Sequence, residues 1–209
     1  MYRAKASELS WVEMLNLEKF LRSMLRVILF SIYLAVFIFL PSSCGNVLTG
    51  VQQSPDPELA PDFLITLYQG QEVLGAQEVR LSQLVAMGKP VVINFWAGAC
   101  PPCRAEMPDF DQVYAEFKDR ILMLGLDVGP FLNLGSRDDA RKLLNDLEIT
   151  YPVGTTFDGQ VVSDYGIIGM PTTILVAPSG EIHRKWTGFL NKEKLVELVE
   201  TLLAVSLEE

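Results

Sequence analysis

Cys100 and Cys103 are the residues whose type and spacing point most directly to chemistry, and they form the motif Cys100-Pro101-Pro102-Cys103. Two thiols separated by two residues serve reversible disulfide exchange or supply half of a zinc site. The run before them, Val91, Val92, Ile93, Phe95 and Trp96, is β-branched or aromatic and reads as a buried strand. Gly98 and Ala99 break that run, and the two prolines suit a first helical turn, where a missing N–H is tolerated. Cys100 then stands at a helix N-terminus, where partial positive charge favours its thiolate. Prolines 101 and 102 carry no N–H, so stabilising donors begin at Cys103. Cys100 is the expected attacking thiol and Cys103, inside the first turn, the resolving one. Attack on a partner disulfide gives a mixed disulfide that Cys103 releases.

Zinc fails on ligand count. A structural site needs four Cys or His ligands, and the chain adds only Cys44, far from the motif, and a lone His183. The same count disfavours a copper-delivery module, so no metal and no cofactor are expected.

The elements that must position the pair follow in order. Residues 62–68 alternate weakly and read as a strand, with a turn at Gln69-Gly70-Gln71. Residues 72–84 fit an edge strand followed by a helical turn around Leu81–Leu84. After the cysteines, Phe110, Val113, Tyr114 and Phe117 mark one face of a helix ending near Lys118, with Pro108 expected to kink it. Residues 121–128 form a second continuous apolar run and read as another buried strand. Residues 131–135 read as a loop. Ser136 and Asp139 form a capping-box-like start to a helix that buries Ala140, Leu143, Leu144 and Leu147. Residues 149–156 read as a connection and 158–165 as a brief helix. Residues 174–177 and 182–186 form a hairpin about Pro178-Ser179-Gly180-Glu181. Asn191 caps a last helix with Leu195, Leu198, Val199 and Leu202 inward. Buried strands separated by helices require crossovers that cover both sheet faces, which is an α/β fold.

The 209 residues suit one domain plus an appendage. A net charge of -9 and the lack of a Lys/Arg cluster argue against a nucleic-acid partner. The appendage is at the front. Residues 27–40 are uncharged and apolar, preceded by Arg22 and Arg26 and followed by Pro41-Ser42-Ser43-Cys44-Gly45, the layout of a secretory signal. The run is shorter than the roughly 18 residues of a spanning helix, and it has no polar face for a core helix to show to water. Ser42-Ser43-Cys44-Gly45 resembles a bacterial lipoprotein signal, with Cys44 lipidated at the mature amino terminus. Pro41 stands where that pattern usually carries Leu. An uncleaved anchor and simple secretion are the alternatives, and all three export the domain. Residues 1–44 are thus signal peptide or membrane anchor, 45–60 a flexible Gln-, Ser-, Pro- and Asp-containing tether, and 61–205 the folded domain.

WAGACPPCRAEMP followed later by YGIIGMPTT resembles the thioredoxin superfamily, and most of all the exported TlpA/ResA-type thiol–disulfide oxidoreductases. The resemblance spans about Pro61 to Leu203. It implies a thioredoxin-like fold, a central mixed β-sheet flanked by helices, with Pro171 in cis beside the disulfide. It also implies that Met170, Pro171 and Thr172 meet the partner polypeptide, together with Pro101 and Pro102. Trp96 fits that surface or the core. Gly98-Ala99 stands where relatives often carry a bulkier residue, which implies a flatter surface around Cys100. Asn94 occupies the place of a buried Asp in thioredoxin proper and cannot titrate. Glu106, three residues after Cys103, matches a family acid one turn along the helix. Burial would raise its pKa and let it exchange the Cys103 proton; exposure would leave a Glu favoured only by the helix dipole.

The reading is a thiol–disulfide oxidoreductase tethered outside a bacterial cytoplasmic membrane, exchanging with protein disulfides or thiols. The resemblance implies a reductant, with apocytochrome c as a partner and a membrane electron donor for recycling. A peroxiredoxin-like peroxidase sharing the early Pro61-Asp62-Phe63, a disulfide-forming oxidase and a non-catalytic lipoprotein binding module are the rivals. Residues 1–23 make an overlong start for a signal, whereas Met24 opens a compact one, so Met24 or Met14 is the expected first residue. Intact mass of a precursor blocked in processing checks this, and a mass beginning at Met1 would sink it.

Overall fold

A computed structural model of the protein describes residues 58–206 and, apart from them, Met24. Apart from Met24, the expected signal or anchor with its Cys44, and the expected tether up to residue 57, lie outside the described residues. In chain order the elements are β1 (Leu64–Gln69), α1 (Gln71–Leu74), β2 (Glu78–Arg80), α2 (Leu81–Val85) and β3 (Val91–Trp96). Then come α3 (Pro101–Phe117), β4 (Leu122–Asp127), α4 (Gly129–Leu132), α5 (Arg137–Leu147) and β5 (Val153–Thr155). The chain closes with α6 (Gln160–Asp164), β6 (Thr172–Val176), β7 (Ile182–Thr187) and α7 (Lys192–Val205).

The strands form one mixed sheet in the order β2-β1-β5-β4-β3-β6-β7. β3, β4 and β5 run parallel, while β6 lies antiparallel on the other side of β3. All six residues of β3 are buried, because helices cover both faces. Val92 and Trp96 enter the core beneath α3, α5 and α7. Val91, Ile93 and Phe95 enter the opposite core with Phe63, Leu81 and Tyr165. The two-residue period of a strand divides one apolar run between two cores.

Where the structure departs from expectation, the elements are short. Residues 149–156 are not merely a connection: Val153–Thr155 join the sheet between β1 and β4. Three residues around a glycine carry too little pattern to reveal a strand, and the neighbouring strands supply the pairing. The stretch 72–84 holds two helical turns flanking a three-residue strand, and α4 begins what reads as a loop. Residues 58–60 belong with the domain rather than the tether. Leu59 bridges Glu181, Ala60 donates to Gly180 at 2.9 Å, and Glu58 accepts from Ile182 at 2.7 Å. Pro108 lies exposed within α3, which continues through it to Phe117. Among the described residues no helix is long and apolar enough to cross a membrane.

The turn from β3 into α3 is shaped by the segment linking α4 to α5. Leu134 accepts a hydrogen bond from the Ala99 N–H at 2.8 Å. Ser136 and Asp139 form the expected capping box, and their helix start presses against Gly98. A Cβ on Gly98 would stand 2.6 Å from the Ala140 nitrogen and 2.8 Å from the Asp139 carbonyl carbon, both backbone atoms that cannot swing aside. The space a side chain would fill at Gly98 is therefore occupied by the start of α5. Gly98→Ala should destabilise the domain by about 1–3 kcal/mol through overpacking. Denaturant unfolding checks this, and an unchanged midpoint would show that the contact relaxes without cost.

Candidate active site

Cys100 caps α3, with Pro101 and Pro102 at its first two helical positions. Its sulfur accepts the Cys103 N–H at 3.3 Å, the first donor the prolines leave available. Cys100 and Cys103 are joined as a disulfide with Cα atoms 5.3 Å apart. Cys100 retains 4% exposure and Cys103 none. A partner thiolate can therefore reach only the Cys100 sulfur. That asymmetry is the one an attacking and a resolving thiol require.

Glu106 is fully buried one turn behind Cys103. Its Oε1 accepts from Asn94 Nδ2 at 2.8 Å and its Oε2 from the Leu190 N–H at 2.9 Å. Burial pushes its pKa up to about 7; those two donors oppose the rise, and Asp109 adds to it. A solvated glutamate held by the helix dipole is thus not what the fold provides. Asn94 also donates toward Thr173 Oγ1 at 3.2 Å, fastening the carboxyl to β3 and β6 together. The Leu190 amide had no signal in the sequence, since a backbone N–H is common to almost every residue.

The Met170–Pro171 peptide is cis, as the resemblance implied. Phe95 pairs with Thr172 in the antiparallel ladder, so Pro171 enters β6 beside the end of β3 that leads to Cys100. Pro171 accepts the Gly188 N–H at 2.8 Å. Met170 is half-buried, and Pro101 and Pro102 are exposed. Two of the residues expected at the partner surface turn their side chains inward. Thr172 is fully buried, its hydroxyl donating to the Gly169 carbonyl at 2.8 Å, so it braces the loop. Trp96 is also fully buried and belongs to the core.

Two features beside the site escaped the sequence. Leu132, Leu134, Ile167, Ile168, Gly169 and Met170 line an apolar hollow, with Ile168 90% exposed. Asp127, at the end of β4, is fully buried, accepting from Tyr68 Oη at 2.9 Å and the Gly129 N–H at 3.0 Å. Burial raises its pKa. A lone aspartate closing the apolar run 121–128 was the signal available for it.

An AhpC/TSA family description matches residues 58–185. Thiol-disulfide oxidoreductase ResA of Oceanobacillus iheyensis is 36% identical over 141 residues, covering 66% of this chain and 68% of that protein. ResA of Geobacillus thermodenitrificans is 31% identical over 145 residues, covering 68% and 75%. A Chlorobium tepidum structure assigned as thiol:disulfide interchange protein DsbE superposes with a TM-score of 0.59 at 27% identity, covering 70% of this chain and 96% of its own. StoA of Bacillus subtilis shares the fold at a TM-score of 0.55 and 22% identity, covering 68% and 99%. The chain belongs to the AhpC/TSA family and, within its thioredoxin-like fold, to the ResA-type thiol–disulfide oxidoreductases.

Proposed function

We propose that this protein reduces protein disulfides outside the cytoplasm while tethered to the membrane surface of a bacterium. The observation that carries the exchange chemistry is one reachable sulfur at Cys100 backed by a buried Cys103 and a buried Glu106. The tether rests on Arg22, Arg26, the apolar run 27–40 and Cys44. In the reduced protein the Cys100 thiolate attacks one sulfur of the partner disulfide. That bond breaks, a Cys100–partner bond forms, and the partner's other sulfur leaves as a thiol after taking a proton. Cys103 then loses its proton to the Glu106 carboxylate and attacks the Cys100 sulfur, expelling the partner's second thiolate. Two electrons have passed to the partner, and Cys100–Cys103 is left as the disulfide. A group with a pKa of about 7 is half ionised near neutrality and can both take and return that proton. A membrane electron donor must return the two electrons, and a disulfide of apocytochrome c is the partner that the ResA resemblance suggests.

The AhpC/TSA match and Pro61-Asp62-Phe63 favour a second reading, a peroxidase. Cys100 would then take a peroxide oxygen as a sulfenic acid, which Cys103 would condense to the disulfide with loss of water. Peroxide consumption by the reduced protein no faster than by a free thiol removes it.

Cys103→Ala should accumulate mixed disulfides between Cys100 and partner proteins, detected by non-reducing gels and mass spectrometry. A variant that gathers none would point to an inert structural disulfide. For Glu106→Gln, the pH profile of exchange should lose its inflection near 7, and an unchanged profile refutes the proton role. Stability supplies an independent check. The folded pKa of Glu106 lies above its ordinary value of 4.5, so the native state binds the extra proton between the two. Its contribution is full below about 4.5 and is lost as pH rises through about 7, on the order of 3 kcal/mol. Denaturant unfolding of the oxidised protein at pH 5 and pH 8 should show a shallower fall for Glu106→Gln than for wild type.

A further inference from the structure

Asp127 is a buried acid that the exchange chemistry leaves unused. It closes β4 just ahead of α4 and is fully buried. α4 needs help at its start: Val128 at the N-cap is apolar, and Pro130 in the first turn has no N–H. The N–H of Gly129, itself a buried residue, finds Asp127 Oδ1 at 3.0 Å. The other carboxyl oxygen accepts from Tyr68 Oη at 2.9 Å, a side chain of β1, with β5 lying between the two strands. Burial, the largest influence, raises the Asp127 pKa. Those two hydrogen bonds and then the charges of Arg137 and Arg141 on α5 oppose it. Arg141 also lies over the Tyr68 ring, 4.6 Å from its centroid. One carboxyl thus gathers β1, β4 and the two helices that flank residues 133–136.

A line of backbone bonds runs from this carboxyl to the reactive turn. The Gly129 carbonyl accepts the Leu134 N–H at 3.0 Å, and the Leu134 carbonyl accepts the Ala99 N–H at 2.8 Å. Ala99 directly precedes Cys100. Within the turn the Cys100 N–H reaches the Ala97 carbonyl at 3.2 Å, the long limit for such a bond, so the outward bond is the tighter one. Packing follows the same line. A Cβ on Gly129 would stand 3.1 Å from the Ala97 Cβ, and one on Gly135 would stand 2.9 Å from the Ala99 nitrogen. We propose that Asp127 is a positioning residue for the attacking sulfur: it holds the first residue of α4 and, through Tyr68, ties to β1 the brace on which the turn at 97–100 rests. The turn decides where Cys100 Sγ stands at the start of α3 and how it meets the Cys103 N–H, 3.3 Å away. Both set how far its thiolate is stabilised. The inference rests on exchange at Cys100, and on neither the Glu106 proton role nor the direction of exchange.

Three variants separate charge from position. Asp127→Ala removes both acceptors. Asp127→Asn keeps an oxygen for the Gly129 N–H and offers an N–H to Tyr68 Oη, so it removes only the charge. Tyr68→Phe keeps the charge and frees the carboxyl from β1. In the oxidised protein, amide hydrogen exchange at Gly129, Leu134 and Ala99 should speed about tenfold in Asp127→Ala and about threefold in Tyr68→Phe, and should hold in Asp127→Asn, with α7 amides unchanged in all three. In the reduced protein, the pH dependence of Cys100 alkylation, read by peptide mass spectrometry, should show a midpoint about half a pH unit higher in Asp127→Ala than in Asp127→Asn. Neither variant carries the charge, so that difference reports position. A merely structural aspartate would speed all amides alike and leave one Cys100 midpoint in both variants. Should Asp127→Ala not fold, Tyr68→Phe against wild type, both charged, decides by the same two readings. Ala99 exchange no faster than that of α7 overturns the brace, and faster Ala99 exchange with coincident midpoints overturns the positioning role. If both readings shift while Cys103→Ala gathers no mixed disulfides, the hold on Cys100 stands and the exchange reading falls.

Discussion

The hydrogen bond from Asn94 to Glu106 fastens the helix that carries the cysteines to the strand at the centre of the sheet. β3 is buried along its whole length, so any polar group on it must find a partner from the elements above it. Asn94 finds Glu106 of α3 and Thr173 of β6. Glu106 in turn holds the backbone ahead of α7 through Leu190. One buried carboxyl thereby ties four elements around the sulfur of Cys103. Among the described residues no cation compensates it, and the two neutral donors do not cancel the cost of burial, which is why its proton is held to about pH 7.

A second constraint acts at the mouth of the site. The chain leaves β3 through Ala97, Gly98 and Ala99, and backbone rather than side chains closes over it. Leu134 receives the Ala99 N–H, and the start of α5 fills the space a side chain at Gly98 would need. Asp127 secures the other side of this cover by binding Tyr68 and the first N–H of α4. The flatter surface expected from Gly98-Ala99 thus comes with a different neighbour. Beside the site, Leu132 and Leu134 of the α4–α5 segment share an apolar hollow with Ile168 and Met170.

Much of this was legible because it rests on local pattern. β3 and β4 are continuous apolar runs, α3, α5 and α7 carry clear helical faces, and Ser136 with Asp139 marks a helix start by chemistry alone. The cysteines and Glu106 were legible for the same reason: spacing on one helix fixes their mutual geometry. What stayed hidden depends on distant residues. β5 is a strand because β1 and β4 pair with it, and Trp96 and Thr172 are interior because two helical layers and β7 cover them. The Leu190 amide, the Tyr68–Asp127 bond and the close packing of Trp96 and Tyr151 over Gly125 are meetings of segments far apart in the chain. No window of neighbouring residues contains them.

The electrostatics of the pair also bear on the direction of exchange. A dithiol protein is a strong oxidant when its reduced form is stabilised, above all as a thiolate. A helix N-terminus ordinarily supplies that stabilisation through several N–H groups. Here two prolines remove the first donors, and the Cys103 N–H reaches Cys100 at 3.3 Å. Behind the pair, an ionised Glu106 repels a thiolate at Cys103, and Asn94 brings no charge to oppose it. Both effects withhold stabilisation from the reduced, ionised state, and both therefore push the couple toward donating electrons. For a two-electron couple about 30 mV corresponds to roughly 1.4 kcal/mol, so the loss of one charge-assisted hydrogen bond is a sufficient margin. The residues proposed to shape proton transfer within the motif are thus also ones that favour the reducing direction proposed for it.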